Sequence, residues 1–194
     1  RVFDIVFSCL GLILLAPVLV VLAIIIKLDS KGPVLFIQPR VGLNNKDFNI
    51  FKFRTMQMES DKKGLLTLGN KDSRITKVGY FLRRYKIDEF PQLLNIVIGD
   101  MSFVGPRPEL RKYVNYYPQE DLSVLSVRPG ITGLASIEFR NEVELLKAAK
   151  DPETYFIESI IPEKLKLNKL YIEKRSFWFD LKLIIITIYR VLTK

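Results

Sequence analysis

Residues 5–26, IVFSCLGLILLAPVLVVLAIII, carry no charge over 22 positions. As a straight helix the run would measure about 33 Å, enough to cross the hydrocarbon of a bilayer. Arg1 and Asp4 precede it, and Lys27, Asp29 and Lys31 follow it. Both ends therefore favour water, and the distribution of lysine and arginine sets no strong orientation. A cleaved leader is a poor match, because the run is long and continues at once into Lys27 without a small-residue cleavage site. Pro17 lies near the midpoint, where it deletes one helical hydrogen bond and crowds the carbonyl of Ile13, so a kink is expected. Two geometries fit these residues: an ordinary kinked span, the commoner structure, and a bend that returns the chain to the leaflet it entered.

Downstream, the turn SKGP leads to VLFIQ and FNIFKF, which read as two short strands joined across the polar stretch Gly42 to Asp47, a hairpin. Arg40, Lys52 and Arg54 lie on this segment. Residues Met58 to Ser73 are polar and glycine-containing, a mobile loop by composition. Ile75, Val78, Phe81, Leu82 and Tyr85 have helical spacing, and the helix they define carries Arg83. PQLLNIVIG predicts a short buried helix ending at Gly99, with Leu93, Leu94, Ile96 and Val97 in the core and a connecting loop from Asp100 to Pro106.

The chemistry concentrates in RRYKIDEFPQLLNIVIGDMSFVGPRP, residues 83–108. Asp88 and Glu89 sit there among Arg83, Arg84, Lys86 and Arg107. Adjacent carboxylates suit Mg²⁺, which takes one or two protein carboxylates and fills its other positions with water and phosphate oxygens. A carboxylate also attacks phosphorus, with nearby cations stabilising the charge that develops. Asp88 is the candidate nucleophile; a competing reading makes it the N-cap of a helix whose first turn holds Glu89 and Pro91. Arg107 is fixed between Pro106 and Pro108, and Pro108 is placed to open a helix PELRKYVNYY whose free N–H groups would join Arg107 in an anion site. An arginine stiffened by a surface turn is the alternative. Arg128, before Pro129, is a second proline-restricted arginine in a tight turn.

Further along, a helix is expected around DLSVLSV, LASIEF as a strand, and Asn141 with Glu144 as a capping box before LLKAAK. Leu181, Ile184, Ile185, Ile188 and Leu192 form one helical stripe near the C-terminus, with Phe177, Trp178 and Phe179 suited to a membrane interface. A core helix is the competing reading; a chain already fixed in a bilayer favours a surface-lying one. The 194-residue chain has a formal charge of +9 and a pI near 9.6, which points to anionic partners. It contains no histidine, so triads, metal sites and general bases built on that side chain are excluded. Cys9 is the one cysteine, so there is no intramolecular disulfide and no cysteine-built zinc site.

IDEFPQLLN, GDMSFVGPRP and VRPGITG, in that order, resemble the bacterial sugar transferases, the monotopic polyprenyl-phosphate phosphoglycosyl transferases. The resemblance begins at RVFDIVFS, continues through IKLDSKGPVLFIQPRVG and FKFRTM, and ends at FDLKLIIITIYRVL, covering nearly the whole chain. It implies an α+β, mostly helical monotopic membrane protein: a re-entrant helix at residues 1–28, bent at Ala16–Pro17, and a cytosol-facing catalytic domain at 29–194 with a small hairpin and amphipathic surface helices. The family's serine before the proline is Ala16 here, and its usual aromatic and glutamine are replaced by Leu134 and Ser136. The implied reaction moves a phosphosugar from a UDP-sugar to a polyprenyl (undecaprenyl) phosphate at the bacterial inner membrane, releasing UMP and starting a lipid-linked glycan. The resemblance further implies that no ATP is required and that nucleic acid is not a partner. The resemblance gives Asp88 the attack on phosphorus, Asp88 and Glu89 the Mg²⁺, Arg83 and Arg107 the phosphate, and Arg128, Lys52 and Arg54 supporting phosphate contacts.

Overall fold

The apolar run becomes one helix, α1 (Val2–Asp29), long and apolar enough to cross a membrane. A computed structural model describes residues 1–60 and 72–193; most of the expected loop, Met58 to Ser73, lies outside the described residues. α1 is assigned as helix through Pro17. Asp4 in its first turn and Lys27 in its last complement the helix dipole.

The chain divides into two units, Arg1–Gln38 with Ile50–Ile98, and Pro39–Asn49 with Gly99–Lys194. In the first, α1 packs against α2 (Lys77–Arg84) and α3 (Gln92–Ile98). Ile26, Phe53 and Leu82 centre one core, with Leu19, Leu22, Val34, Leu35, Val78 and Ile87 against it. Thr76 caps α2, its hydroxyl accepting from Gly79 N–H at 2.9 Å. A Cβ on Gly79 would lie 2.1 Å from the Thr55 carbonyl, so only glycine lets α2 approach so closely. α3 ends as expected at Gly99, whose φ of 111° is the left-handed conformation that terminates helices.

The expected strands form. β1 (Leu35–Val41) pairs with β2 (Asp47–Phe53) through a 3₁₀ turn at Leu43–Asn45, where Asn44 and Asn45 take left-handed φ values of 55° and 60° that asparagine tolerates. Their outer halves and the turn belong to the second unit.

The second unit contains a sheet that periodicity did not reveal. β3 (Ser102–Val104) pairs in parallel with β4 (Gly130–Thr132), register Ser102 to Gly130 and Val104 to Thr132. β3 stands where a connecting loop was expected and β4 follows directly on Arg128-Pro129. Val104, Ile137, Tyr171 and Leu183 form the core between this sheet, α5 (Leu134–Glu138), α8 (Ile161–Lys174) and α9 (Phe177–Leu192). LASIEF is therefore mostly helix, not strand: a short apolar run does not distinguish the two, and packing of α5 on α8 decides. All of DLSVLSV but its last residue, Val127, lies within a 3₁₀ segment, Gln119–Ser126. Asn141 precedes α6 (Glu142–Ala148) as expected but its side chain makes no cap bond, since it ends a 3₁₀ turn with φ −96° and ψ 20°.

The helix expected to open at Pro108 does not. α4 covers only Arg111–Val114. The Pro108 carbonyl instead accepts from Arg40 Nη1 at 3.1 Å and the Glu109 carbonyl from Val41 N–H at 2.9 Å, so neither is available to a helical ladder. On α9, Ile185, Ile188 and Leu192 of the expected stripe are exposed and Leu183, off the stripe, is buried. α7 (Pro152–Tyr155) and a π turn at Phe156–Ile160 lead into α8.

Candidate active site

Asp88 and Glu89 lie on a 3₁₀ turn, Ile87–Glu89, between α2 and α3. Asp88 is neither exposed nor a helix N-cap: that position falls to Lys86, which takes a left-handed φ of 59° and turns the chain sharply after α2. Such a conformation costs a lysine about 1–2 kcal/mol, so the turn is held by its surroundings. Ile87 enters the α1 core on one side. Glu89 N–H and Phe90 N–H close the turn on the carbonyls of Lys86 and Ile87 at 3.2 and 3.1 Å.

Asp88 and Glu89 are 8% and 7% exposed, unusually low for carboxylates. Glu89 Oε1 accepts from Lys52 Nζ at 3.3 Å. Asp88 Oδ1 is buried with no hydrogen-bond partner among the described residues. Burial, then the Glu89 charge, push the Asp88 pKa up, against the pull of Lys52, Lys86 and Arg83. Arg83, half-buried in the last turn of α2, has its own pKa lowered by burial and supported by the Asp88 charge. Asp72, bound by Arg74 Nε and Nη2 at 2.9 and 2.6 Å, also acts on Arg83.

The structure brings Asp88, Glu89, Lys52 and Arg83 together in the first unit. Lys52 meets a carboxylate there, which gives it a charge-balancing place at the acids. Its strand is fixed by Asn95, fully buried on α3, whose Oδ1 accepts from Phe51 N–H at 3.0 Å. Arg54 does not join them. It is 4% exposed, and its Nη2 donates to the carbonyls of Ser30 at 2.7 Å and Ile26 at 3.3 Å, while Nη1 donates to that of Lys31. β2 ends at Phe53, so Arg54 has left the face that Lys52 occupies and caps the C-terminus of α1. Arg54 as a phosphate ligand is thereby corrected.

In the second unit, Arg107 is half-buried in the segment Gly105–Glu109. Without the expected helix at Pro108, the helix-start anion site does not form, and Arg107 is held by turn and sheet contacts. Gly105 N–H donates to the Thr132 carbonyl and Gly130 N–H to the Pro106 carbonyl, each at 2.9 Å. Arg128 is exposed, its Nε donating to the Gly99 carbonyl at 2.9 Å. Sequence reasoning counted Lys86 among the cations near the acids but did not find its left-handed turn, and it missed Asn95. Their signals are a backbone conformation and long-range partners, neither of which has a local pattern.

Among the described residues no group of three or more histidine, cysteine, aspartate or glutamate side chains converges as a metal cage. A magnesium ion does not require one, because it is commonly held by one or two carboxylates plus substrate phosphates. The orphaned Asp88 Oδ1 beside Glu89 fits that donor set.

A sequence model described as bacterial sugar transferase matches residues 1–194. The undecaprenyl-phosphate glucose phosphotransferase of Komagataeibacter xylinus is 40% identical over 198 residues, 98% of this chain and 35% of that protein. An Aeromonas hydrophila UDP-N-acetylgalactosamine-undecaprenyl-phosphate N-acetylgalactosaminephosphotransferase is 37% identical over 196 residues, 100% of this chain and 43% of that protein. The UDP-glucose:undecaprenyl-phosphate glucose-1-phosphate transferase of Caulobacter vibrioides is 38% identical over 197 residues, 100% of this chain and 69% of that protein. The chain thus spans well under half the length of the first of these relatives. Matched along all its residues by the family and paired with a relative it covers by more than two thirds, the chain belongs to the bacterial sugar transferase family.

Proposed function

We propose that this chain carries the transfer of a sugar 1-phosphate from a UDP-sugar to a polyprenyl phosphate, the reaction class named in its relatives. The observation that carries the reading is Asp88: a buried carboxylate with one unpartnered oxygen, next to a second carboxylate and influenced by Lys52, Lys86 and Arg83. Such an oxygen is poorly solvated and lies among cations that favour a phosphate group beside it.

In this reading the Asp88 carboxylate oxygen attacks the sugar-bearing phosphorus. A new P–O bond forms, the P–O bond to the UMP leaving group breaks, and the electron pair departs on UMP. An oxygen of the polyprenyl phosphate then attacks the same phosphorus, breaking the bond to Asp88 and forming the lipid diphosphate sugar. Lys52 balances Glu89, Arg83 holds donor phosphate beside Asp88, and Arg107 with Arg128 supplies further phosphate contacts. Mg²⁺ held by Asp88 and Glu89 would neutralise the diphosphate.

The membrane arrangement belongs to the same proposal. Residues 1–28 anchor the chain through α1, with Ala16–Pro17 the position for a re-entrant bend, and residues 29–194 work at the cytoplasmic face of the bacterial inner membrane. The exposed apolar side chains of α9 support a surface-lying helix: Trp178, Ile185, Tyr189 and Leu192 all point away from the core.

The test is intact-mass analysis of detergent-purified protein given Mg²⁺ and a panel of UDP-sugars without acceptor, beginning with UDP-glucose and UDP-N-acetylgalactosamine. A phosphosugar adduct that disappears in Asp88→Asn is expected. If a sugar supporting full turnover leaves no adduct under rapid quenching, the lipid phosphate attacks the donor directly and Asp88 is not the nucleophile.

A further inference from the structure

Four ionic side chains from four separate parts of the second unit converge just beyond Arg107. Lys164 of α8, 8% exposed, lies 2.8 Å from Glu109 Oε1 and 2.8 Å from Glu142 Oε2. Arg40 of β1 lies 3.8 Å from Glu109 Oε2 and donates to the Pro108 carbonyl at 3.1 Å. Two positive and two negative charges therefore balance. Burial acts to raise the Glu109 pKa, but Lys164, then Arg40, outweigh it and hold the carboxylate below its usual range.

A buried ion cluster is a poor way to gain stability, since apolar side chains of similar volume often do as well or better. It does fix geometry, because each charge is satisfied in only one arrangement. Here the fixed element is short. Gly105 is tied to Thr132 and Pro106 to Gly130 on one side of Arg107. Pro108 is tied to Arg40, and Glu109 to Val41 and Lys164, on the other. Two prolines remove much of the remaining backbone freedom.

We propose that Glu109, clamped by Lys164 and Arg40, is a positioning residue that fixes the direction of Arg107 for gripping a substrate phosphate. This role rests on the transferase reading above. A guanidinium grips phosphate through two parallel hydrogen bonds, a geometry that tolerates little rotation of its backbone. Glu109 touches no reacting atom; it acts through the segment that carries Arg107.

The test is a coupling measurement on the full chain in detergent with undecaprenyl phosphate and the UDP-sugar that supports turnover. Arg107→Met is assayed alone and in the Glu109→Gln/Lys164→Met background, which removes both members of the central pair together. In the wild-type background Arg107→Met should lower kcat/KM by about tenfold or more, as expected for a lost charge-assisted contact. In the paired background the same change should cost less than about threefold, because the guanidinium is already misdirected. Lys164→Arg, which keeps the ion pair, should restore the full effect. Arg40→Met removes the Pro108 tether at a less buried position than Lys164 and should weaken the Arg107 effect even if the paired variant does not fold. A merely structural cluster would lower the melting temperature while leaving the Arg107 effect equal in every background, and that result overturns the proposal. Absence of turnover by the wild-type chain with every UDP-sugar overturns the transferase reading, and the positioning role with it; normal turnover with equal Arg107 effects overturns the positioning role alone.

Discussion

Arg54→Met separates a structural arginine from a phosphate-binding one. The substitution keeps much of the apolar stem and removes the donors to three carbonyls at the end of α1. The Ile26 carbonyl retains Ser30 N–H at 3.3 Å, so the loss falls mainly on the carbonyls of Ser30 and Lys31. Hydrogen bonds from a charged donor contribute about 1.5–3 kcal/mol each. Lys31 is exposed and water can replace part of that loss, so the expected destabilisation is about 2–4 kcal/mol. For a chain of this size that is a melting temperature lower by about 5–15 °C. Arg54→Lys should recover about half, one ammonium reaching fewer of the carbonyls. The assay pairs thermal unfolding in detergent with KM for the UDP-sugar measured on folded protein. An unchanged melting temperature with KM raised tenfold would refute the reasoning and return Arg54 to the phosphate.

Two further predictions follow from exposure and charge. Because the Asp88 pKa is raised in the fold, ionising it costs stability; that cost is absent below the unfolded value near 3.8 and present once pH passes the folded value. Asp88→Asn should therefore melt higher than wild type at pH 7.5 in chelator, with the gap closing toward pH 4, and a gap independent of pH would contradict the burial argument. Trp178, the one tryptophan and 74% exposed, should be quenched by brominated lipids after reconstitution if α9 lies on the bilayer; unquenched emission would place that face in water.

What was legible in the sequence shares one property, a local pattern. The apolar run gave α1, alternation gave β1 and β2, and helical spacing gave α2. Glycine at position 99 marked the end of α3. β3 and β4 have three residues each and are partners across 28 positions, too short for periodicity and too distant for turn chemistry. Arg54 illustrates a different limit. Helix-end carbonyls and phosphate oxygens are both hydrogen-bond acceptors carrying negative charge, so an arginine beside a lysine on an apparent strand fits either. Only the end of β2 at Phe53 separates the two side chains. The helix imagined after Pro108 failed because the carbonyls that would have begun it had partners on β1, again a contact no local rule contains.

The first unit also explains how a carboxylate can be kept at a fixed height relative to an apolar helix. Arg1 Nη2 donates to the Ile96 carbonyl at 2.5 Å, joining the start of α1 to the end of α3. Gly11 leaves only 3.3 Å between its would-be Cβ and Leu93, so the two helices approach closely at the middle of that contact. At the other end Ile87, next to Asp88, packs against the core that Ile26 of α1 forms with Phe53 and Leu82. Asn95 on α3 ties down Phe51, and the adjacent Lys52 holds Glu89. Both acids are thus connected to α1 through side-chain packing and short hydrogen bonds, not through a flexible linker. Under the proposed reaction the acceptor phosphate would be held at the bilayer surface and arrive at one height, and this link between α1 and the acids would set Asp88 at a constant distance from it.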